Sequence, residues 1–358
     1  MRDEAAAGVS GAGSGGIVQV VVFTGVGEVE VREEPSPSAG PEQVLVDIAA
    51  CGICTFERRL FAGDRQWYPV NPGHESAGTV IAVGEKVADL DGSPQVGDRV
   101  TIDLLTRCGT CAQCRRGRTA LCQMRQGRLL SDGTVSFGGF ASVVNVDAKS
   151  VHPIGDAPFE HAAMGEPIAC CVHSIRQGGF GPGDRVAIIG GGFMGRIHLA
   201  LLRVWGAGSI GVIDIAEDRL ELAKEFGATW TATPDKALET GGTQDIVFVT
   251  AMAGVELAVE MAGLAGAVVL YSAFADDLPA TVGAQRAHHE ETMIVGSFSQ
   301  EPDDWRTAAG LIRSGVIADD LDALVTARYG FEDVADALTL VTTEPTFRVM
   351  VEPPGTDD

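Results

Sequence analysis

Between Ile17 and about Pro153, apolar residues alternate with polar ones in short runs, among them Val18–Phe23, Gln43–Ala50, Gly78–Val83 and Arg99–Ile102. A period of two turns one face of a strand toward a core. The runs are broken by Pro35-Ser36-Pro37, Gly40-Pro41 and Val96-Gly97-Asp98, and turn formers this frequent predict a partly closed antiparallel β domain. Over Phe159–Gln177 the period becomes helical. From Gly181-Pro182-Gly183-Asp184 onward, continuous apolar runs alternate with amphipathic stretches. Arg185–Ile189, Ser209–Ile213, Ile246–Val249, Ala267–Leu270 and Met293–Gly296 are the predicted strands. Phe193–Trp205, Glu217–Phe226, Val255–Leu264 and Trp305–Ser314 are the predicted helices. That alternation predicts an α/β unit with a doubly wound parallel sheet and right-handed crossovers. A last strand, Arg348–Val351, need not belong to it, and no repeat at a solenoid period is visible.

A chain of 358 residues suits two domains, and 45% hydrophobic with 21% charged residues reads as a soluble globular protein. No apolar run approaches the ~18 residues of a membrane span. The first sixteen residues are rich in Ala, Gly and Ser and lack the apolar centre of a signal peptide, so a disordered tail and a cytoplasmic location are expected. A formal net charge of −23 argues against nucleic acid or an anionic membrane as partner.

The predicted strand Arg185–Ile189 runs into Gly190-Gly191-Gly192-Phe193-Met194-Gly195 and then a helix, which is G-x-G-x-x-G in the strand–turn–helix setting that binds dinucleotides. Gly190 permits the tight turn, Gly192 lets backbone approach a pyrophosphate, and Gly195 lets helix pack on strand. Phe193 and Met194 open the helix whose free N–H groups face the phosphates. Asp214, at the end of the next strand, is placed to accept the adenosine ribose hydroxyls and favours NAD, while Arg219 leaves NADP open.

Four of the eight cysteines, Cys108, Cys111, Cys114 and Cys122, are spaced C-x2-C-x2-C-x7-C. Such spacing favours metal over disulfides, in a closed all-thiolate zinc site or alternatively an iron–sulfur cluster. Cys54, His74, Glu75 and Glu166 stand in Gly52-Ile53-Cys54, Gly73-His74-Glu75-Ser76-Ala77-Gly78 and Gly165-Glu166-Pro167. Alone each reads as a turn residue or a helix start; together they are candidates for a second, open metal site.

These motifs resemble the zinc-containing medium-chain dehydrogenases over about residues 17–352, and the polyol and threonine dehydrogenase branch more than the liver alcohol dehydrogenase branch. The resemblance implies a GroES-like β-rich catalytic domain (17–178 and 316–358) and a Rossmann domain (179–315), with the site between them. It implies Zn2+ at two positions per chain and NAD. Cys54, His74 and Glu166 would hold the catalytic zinc, with Glu75 as an exchangeable ligand, and Cys108, Cys111, Cys114 and Cys122 the structural one. Cys51 is the rival to Cys54, and Cys170 and Cys171 are expected to be packed thiols. Arg348 matches a basic residue of the family and is expected either to pair with Glu75 or to approach the cofactor phosphates. The implied reaction is hydride transfer between a secondary alcohol, polyol or sugar-like, and its ketone. A homodimer or homotetramer is expected, with Met293–Gly296 as an edge able to extend across a two-fold axis.

The pattern also breaks. Where the family carries a relay Ser or Thr stands Phe56, followed by Glu57, and Arg59 replaces a common His. Thr55, or a water near Glu75, is the expected substitute for the proton relay, and Glu57 is either an orienting partner for His74 or a surface acid. Phe56, Trp67 and Tyr68 either line the substrate pocket or simply pack in the core, and for Trp67 core packing is favoured. The altered relay keeps two other functions in view: a redox-neutral zinc/NAD enzyme that eliminates or epimerises after transient oxidation, and a non-catalytic NAD-binding protein.

Overall fold

The computed structural model describes residues 16–87, 93–124, 127–274 and 278–354. The tail expected over residues 1–16 therefore lies outside the described residues except for Gly16. Strand Gln43–Ile53 is the spine of the first half: its side chains alternate between buried and half-buried as far as Ala49, then stay buried to Ile53. Val44, Val46 and Ile48 pack with Val80, Val100, Ile102 and Val146, while Cys51 and Ile53 meet Leu60 and Val349. The strand pairs antiparallel with Glu75–Val83 on one side and Arg348–Glu352 on the other, so Gly52 lies opposite both Glu75 and Met350. The end of the chain thus returns to the first sheet, beside and parallel to Val325–Gly330. A smaller five-stranded sheet, which includes the hairpin of Ile17–Gly25 and Glu28–Pro35, completes this half.

The other half carries six parallel strands in the order Trp230–Ala232, Ser209–Ile213, Arg185–Ile189, Gln244–Val249, Ala262–Leu270, Met293–Gly296. All five predicted strands are present, with Trp230–Ala232 as an addition. The helix predicted to reach Leu264 stops at Met261. Ala262 is already extended, and Ala265 has φ 56° between Gly263 and Gly266, a path no helix follows. Helix Pro302–Ser314 starts three residues before the predicted Trp305 because Glu301 and Asp304 form a capping box there.

Helix Gly165–Gln177 joins the halves. Its first turn holds Glu166 and Pro167, tolerated where no intrahelical N–H bond is required. Ile168, Cys171, Val172 and Ile175 bury its length in one core with Ile197, Leu201, Phe248 and Trp305. Among the described residues no helix is long and apolar enough to cross a membrane.

Candidate active site and metal centres

Strand Gln43–Ile53 ends at Cys54, which caps helix Thr55–Ala62: its sulfur accepts the Phe56 N–H at 3.1 Å. Glu57, the third helical residue, accepts the Cys54 N–H at 3.1 Å, completing a capping box. Its other oxygen accepts the Gly73 N–H at 3.1 Å and lies 3.1 Å from His74 Nδ1. Glu57 is thus fully buried and not a surface acid. Burial pushes its carboxyl up, but the His74 charge and these hydrogen bonds outweigh that and hold it at about 2. The opposite ring nitrogen, His74 Nε2, is 3.3 Å from Cys54 Sγ.

Donor atoms of His74, Glu75 and Glu166 lie within 4.8 Å of one another, as do those of Cys54, Glu57 and His74. His74 belongs to both groups, with Cys54 in one and Glu75 and Glu166 in the other. Cys51 is the exception among the cysteines of the motif, since it is buried against Ser76 and Gly52. The spacing within the His74, Glu75 and Glu166 group suits a zinc ion about 2.0–2.2 Å from nitrogen and oxygen donors. Burial pushes the Cys54 thiol up to about 12 and the Glu75 carboxyl to about 7, so at neutral pH the thiol keeps its proton and the carboxyl is only partly ionised. Glu75 Oε2 is buried without a hydrogen bond; Arg348 Nε lies 3.0 Å away but does not aim its proton at it.

Arg348 is nearly fully buried, donates from Nη1 to the Ile53 carbonyl at 2.5 Å, and lies 3.7 Å over the Phe193 ring. Of the two expectations for it, the geometry realises the pairing with Glu75. Cys170 and Cys171 are buried thiols as expected, yet Cys170 Sγ also touches Glu166 Oε1 at 3.3 Å.

A cleft of about 680 Å³ opens on these residues, and its far wall is the glycine loop. Gly190 has φ 114°, a Cβ on Gly192 would meet nothing within 4 Å except the end of Arg219, and one on Gly195 would sit 1.8 Å from the Gly190 carbonyl. The three glycines therefore do what the motif asks of them: turn, cradle and close packing. Phe193 and Met194 line the cleft with Gly192 and Gly195. Asp214 is buried, accepts the Gly191 N–H at 2.7 Å and the Ala216 N–H at 3.0 Å, and lies 3.5 Å from Arg219 Nη1.

Thr55 is exposed at the cleft. Phe56, Trp67 and Tyr68 do not line it, so the substrate role read for Phe56 and Tyr68 is not realised. Phe56 and Trp67 both pack edge-on to Phe137, and the Tyr68 hydroxyl is used on the Leu60 carbonyl. Tyr271 and Arg58, which sequence reasoning passed over, do line it. Tyr271 follows a parallel strand directly, and the rule that ligands bind beyond the carboxyl ends of such strands would have found it.

The second cluster is Cys108, Cys111, Cys114 and Cys122, whose sulfurs all lie within 4.8 Å. Cys108 and Cys114 Sγ are 3.9 Å apart, close to the ~3.8 Å edge of a tetrahedron of sulfurs about 2.3 Å from one zinc. A four-iron cluster interposes several irons and needs wider spacing.

Two family models cover most of these residues: the alcohol dehydrogenase GroES-like domain over residues 40–156 and the zinc-binding dehydrogenase domain over 194–314. D-altritol 5-dehydrogenase of Agrobacterium fabrum is 30% identical over 293 residues, 79% of this chain and 84% of that protein. The chain belongs to the zinc-dependent medium-chain dehydrogenases. Within that family, galactitol 1-phosphate 5-dehydrogenase of Escherichia coli is 30% identical over 341 residues, 87% of this chain and 93% of the relative. The crystal structure of a zinc-binding dehydrogenase from Sinorhizobium meliloti, bound to NADP, matches with a TM-score of 0.85 at 30% identity, covering 94% of this chain and all of that one. The two halves are thus the GroES-like and Rossmann folds of a medium-chain dehydrogenase, which works with zinc and a nicotinamide dinucleotide.

Proposed function

We propose that this dehydrogenase interconverts a secondary alcohol of a polyol or sugar alcohol with its ketone, using NAD. The observation that carries this reading is that the His74-centred donor cluster and the glycine loop face one cleft. Cys54, His74 and Glu166 are the proposed ligands of the catalytic Zn2+, Glu75 an exchangeable fourth, and the four clustered cysteines the ligands of a structural Zn2+. Bound there, zinc supplies a Lewis acid that acidifies an alcohol, and the nicotinamide supplies the hydride acceptor. Glu57 fixes the ring of His74, and Arg348 restrains Glu75. Gly190, Gly192, Phe193, Met194 and Gly195 seat the dinucleotide, with Asp214 accepting its ribose hydroxyls. Phe56 cannot carry a proton, so Thr55, one residue earlier and open to the cleft, is proposed to pass it to solvent.

The curated relatives are named for sugar alcohols, one of them phosphorylated, and this supports the substrate class over the redox-neutral and non-catalytic readings. Domain limits of 17–178 with 316–358, and 179–315, are proposed on the sheet memberships. A cytoplasmic homo-oligomer joined through Met293–Gly296 is proposed on its place at the sheet edge and the exposure of Met293 and Ile294. The test is a panel of polyols, their phosphate esters and the matching ketones with NAD and NADP, following absorbance of the reduced nicotinamide. The esters belong in it because Arg58 and Arg59 line the cleft and neither is ion-paired among the described residues. Stoichiometric NADH from a sugar alcohol is the expected result; product without net NADH would overturn it.

A further inference from the structure

The four-cysteine loop and the open metal site are joined by an unbroken run of polar contacts that none of the motifs covers. Arg107, which precedes Cys108, pairs with Asp103 and donates from Nη2 to the Gln300 carbonyl at 3.1 Å. Near the other end of the loop, the Thr119 and Ala120 N–H groups each donate to the Glu301 carboxylate at 2.9 Å, joined by the Thr119 hydroxyl. Both ends of the loop therefore grip residues 300 and 301. Gln300 is 2% exposed, and its side-chain amide reaches Cys170 Sγ at 3.3 Å and Ser299 Oγ at 2.7 Å. The same sulfur is 3.3 Å from Glu166 Oε1.

A thiol has one proton and cannot donate to two oxygens. Turning the Gln300 amide so that its NH2 faces the sulfur removes the conflict. One N–H then donates to Cys170 Sγ and the other to Ser299 Oγ, which leaves the thiol proton for Glu166. The thiol conflict is resolved, and the run of donors ends on the Glu166 carboxylate.

We propose that Gln300 is a positioning residue for the open metal site: it sets Glu166 through Cys170, and the four-cysteine loop in turn sets Gln300. The proposal rests on the reading of Cys54, His74 and Glu166 as metal ligands. It makes the two sites interdependent, so that loosening the grip of the loop weakens metal binding in the cleft.

The test uses the full chain loaded with Zn2+, with affinity measured against a chromophoric chelator, and the visible spectrum of Co2+ placed in the open site. Gln300→Leu is expected to weaken the open site by ~10–100-fold, as loss of an outer partner does, and to shift the Co2+ bands. The four-thiolate metal and Tm should stay as in the parent. Gln300→Met, which keeps the length but cannot donate to the sulfur, should match the leucine variant. Arg107→Gln, which slackens the loop without touching Cys170, should weaken the open site in the same direction by less. Parental affinity in Gln300→Leu or in Gln300→Met overturns the proposal, and parental affinity in Arg107→Gln overturns the part played by the loop. An equal loss from both sites with a lowered Tm also overturns it, since that marks general packing. If the parent chain binds only one Zn2+, the metal-ligand reading itself has failed, whatever the variants do.

Discussion

Glu57 occupies the third position of helix Thr55–Ala62, where a capping box needs a carboxylate, and the same carboxylate meets the outer nitrogen of His74. One side chain therefore ends a strand, starts a helix and aims a ligand. Glu57→Gln keeps the shape and removes the charge. It is expected to lower the Zn2+ affinity of the open site by ~10–100-fold in a chelator competition; unchanged affinity would mean that His74 is held by something else. The altered relay has its own test. Thr55→Val should lower kcat by up to ~100-fold, the low end of positioned proton transfer, and move the acidic limb of the pH–rate profile. An unchanged profile would assign the proton to direct exchange with solvent. At this scale the sequence was legible where a motif names a position: His74 does lie with Cys54, and also with Glu75 and Glu166. It was not legible for Cys170: its four-residue offset from Glu166 puts both on one helix face, but Gln300 is 130 residues away and only folding brings it near.

The elements read well from periodicity because the buried strands are short, β-branched and bounded by glycine or proline. Trp230–Ala232 escaped because three residues at a sheet edge, two half-buried and one buried, carry too little pattern. The end of helix Val255–Met261 was misplaced because alanine and glycine at 262–266 look the same to a hydrophobic count in either state. Two element-level consequences can be measured. Met293–Gly296 is the outer strand of its sheet, with Met293 51% and Ile294 39% exposed. An open apolar edge invites pairing with a copy of itself, and a charge there blocks it. Ile294→Lys is expected to convert the oligomer to monomer in sedimentation with metal content unchanged; a monomeric parent would refute the interface. Helices Gly165–Gln177 and Phe193–Val204 are tied by His198, whose Nδ1 lies 2.8 Å from the Met194 carbonyl and Nε2 3.0 Å from Ser174 Oγ. Burial holds this imidazole down at about 4, below its usual 6.5. The folded form stays neutral while the unfolded chain takes up a proton, so stability falls as pH drops from 6.5 toward 4. The loss approaches about 3 kcal/mol. In His198→Gln the part of the decline between pH 7 and 5 that His198 causes should vanish in denaturant titrations.

At the scale of the whole molecule, a chain of net charge −23 nevertheless presents Arg58, Arg59 and Arg219 to its cleft. Although Glu75, Glu166 and Glu344 share that lining, these cations offset the bulk negative charge there and favour entry of an anionic dinucleotide. The two metal clusters are placed just as unequally. The His74-centred cluster faces the cleft, where a chelator can enter, and its neighbours Glu57, Arg348 and Cys170 are held by the protein's own contacts. The four sulfurs of the other cluster hold a loop that has only one short helix, Ala112–Arg115, and a single 3-10 turn, Thr119–Leu121, between its cysteines, so little else fixes its shape. Ions at such closed sites contribute folding energy outright. Graded chelation should therefore proceed in two stages. The first Zn2+ to leave is expected to take the activity with it while Tm falls only slightly. The second should leave more slowly and lower Tm much further, because Arg107, Thr119 and Ala120 then lose their fixed hold on Gln300 and Glu301. Metal content, turnover and thermal melting followed on the same samples distinguish this order from simultaneous loss, which would mean that the two sites share one role.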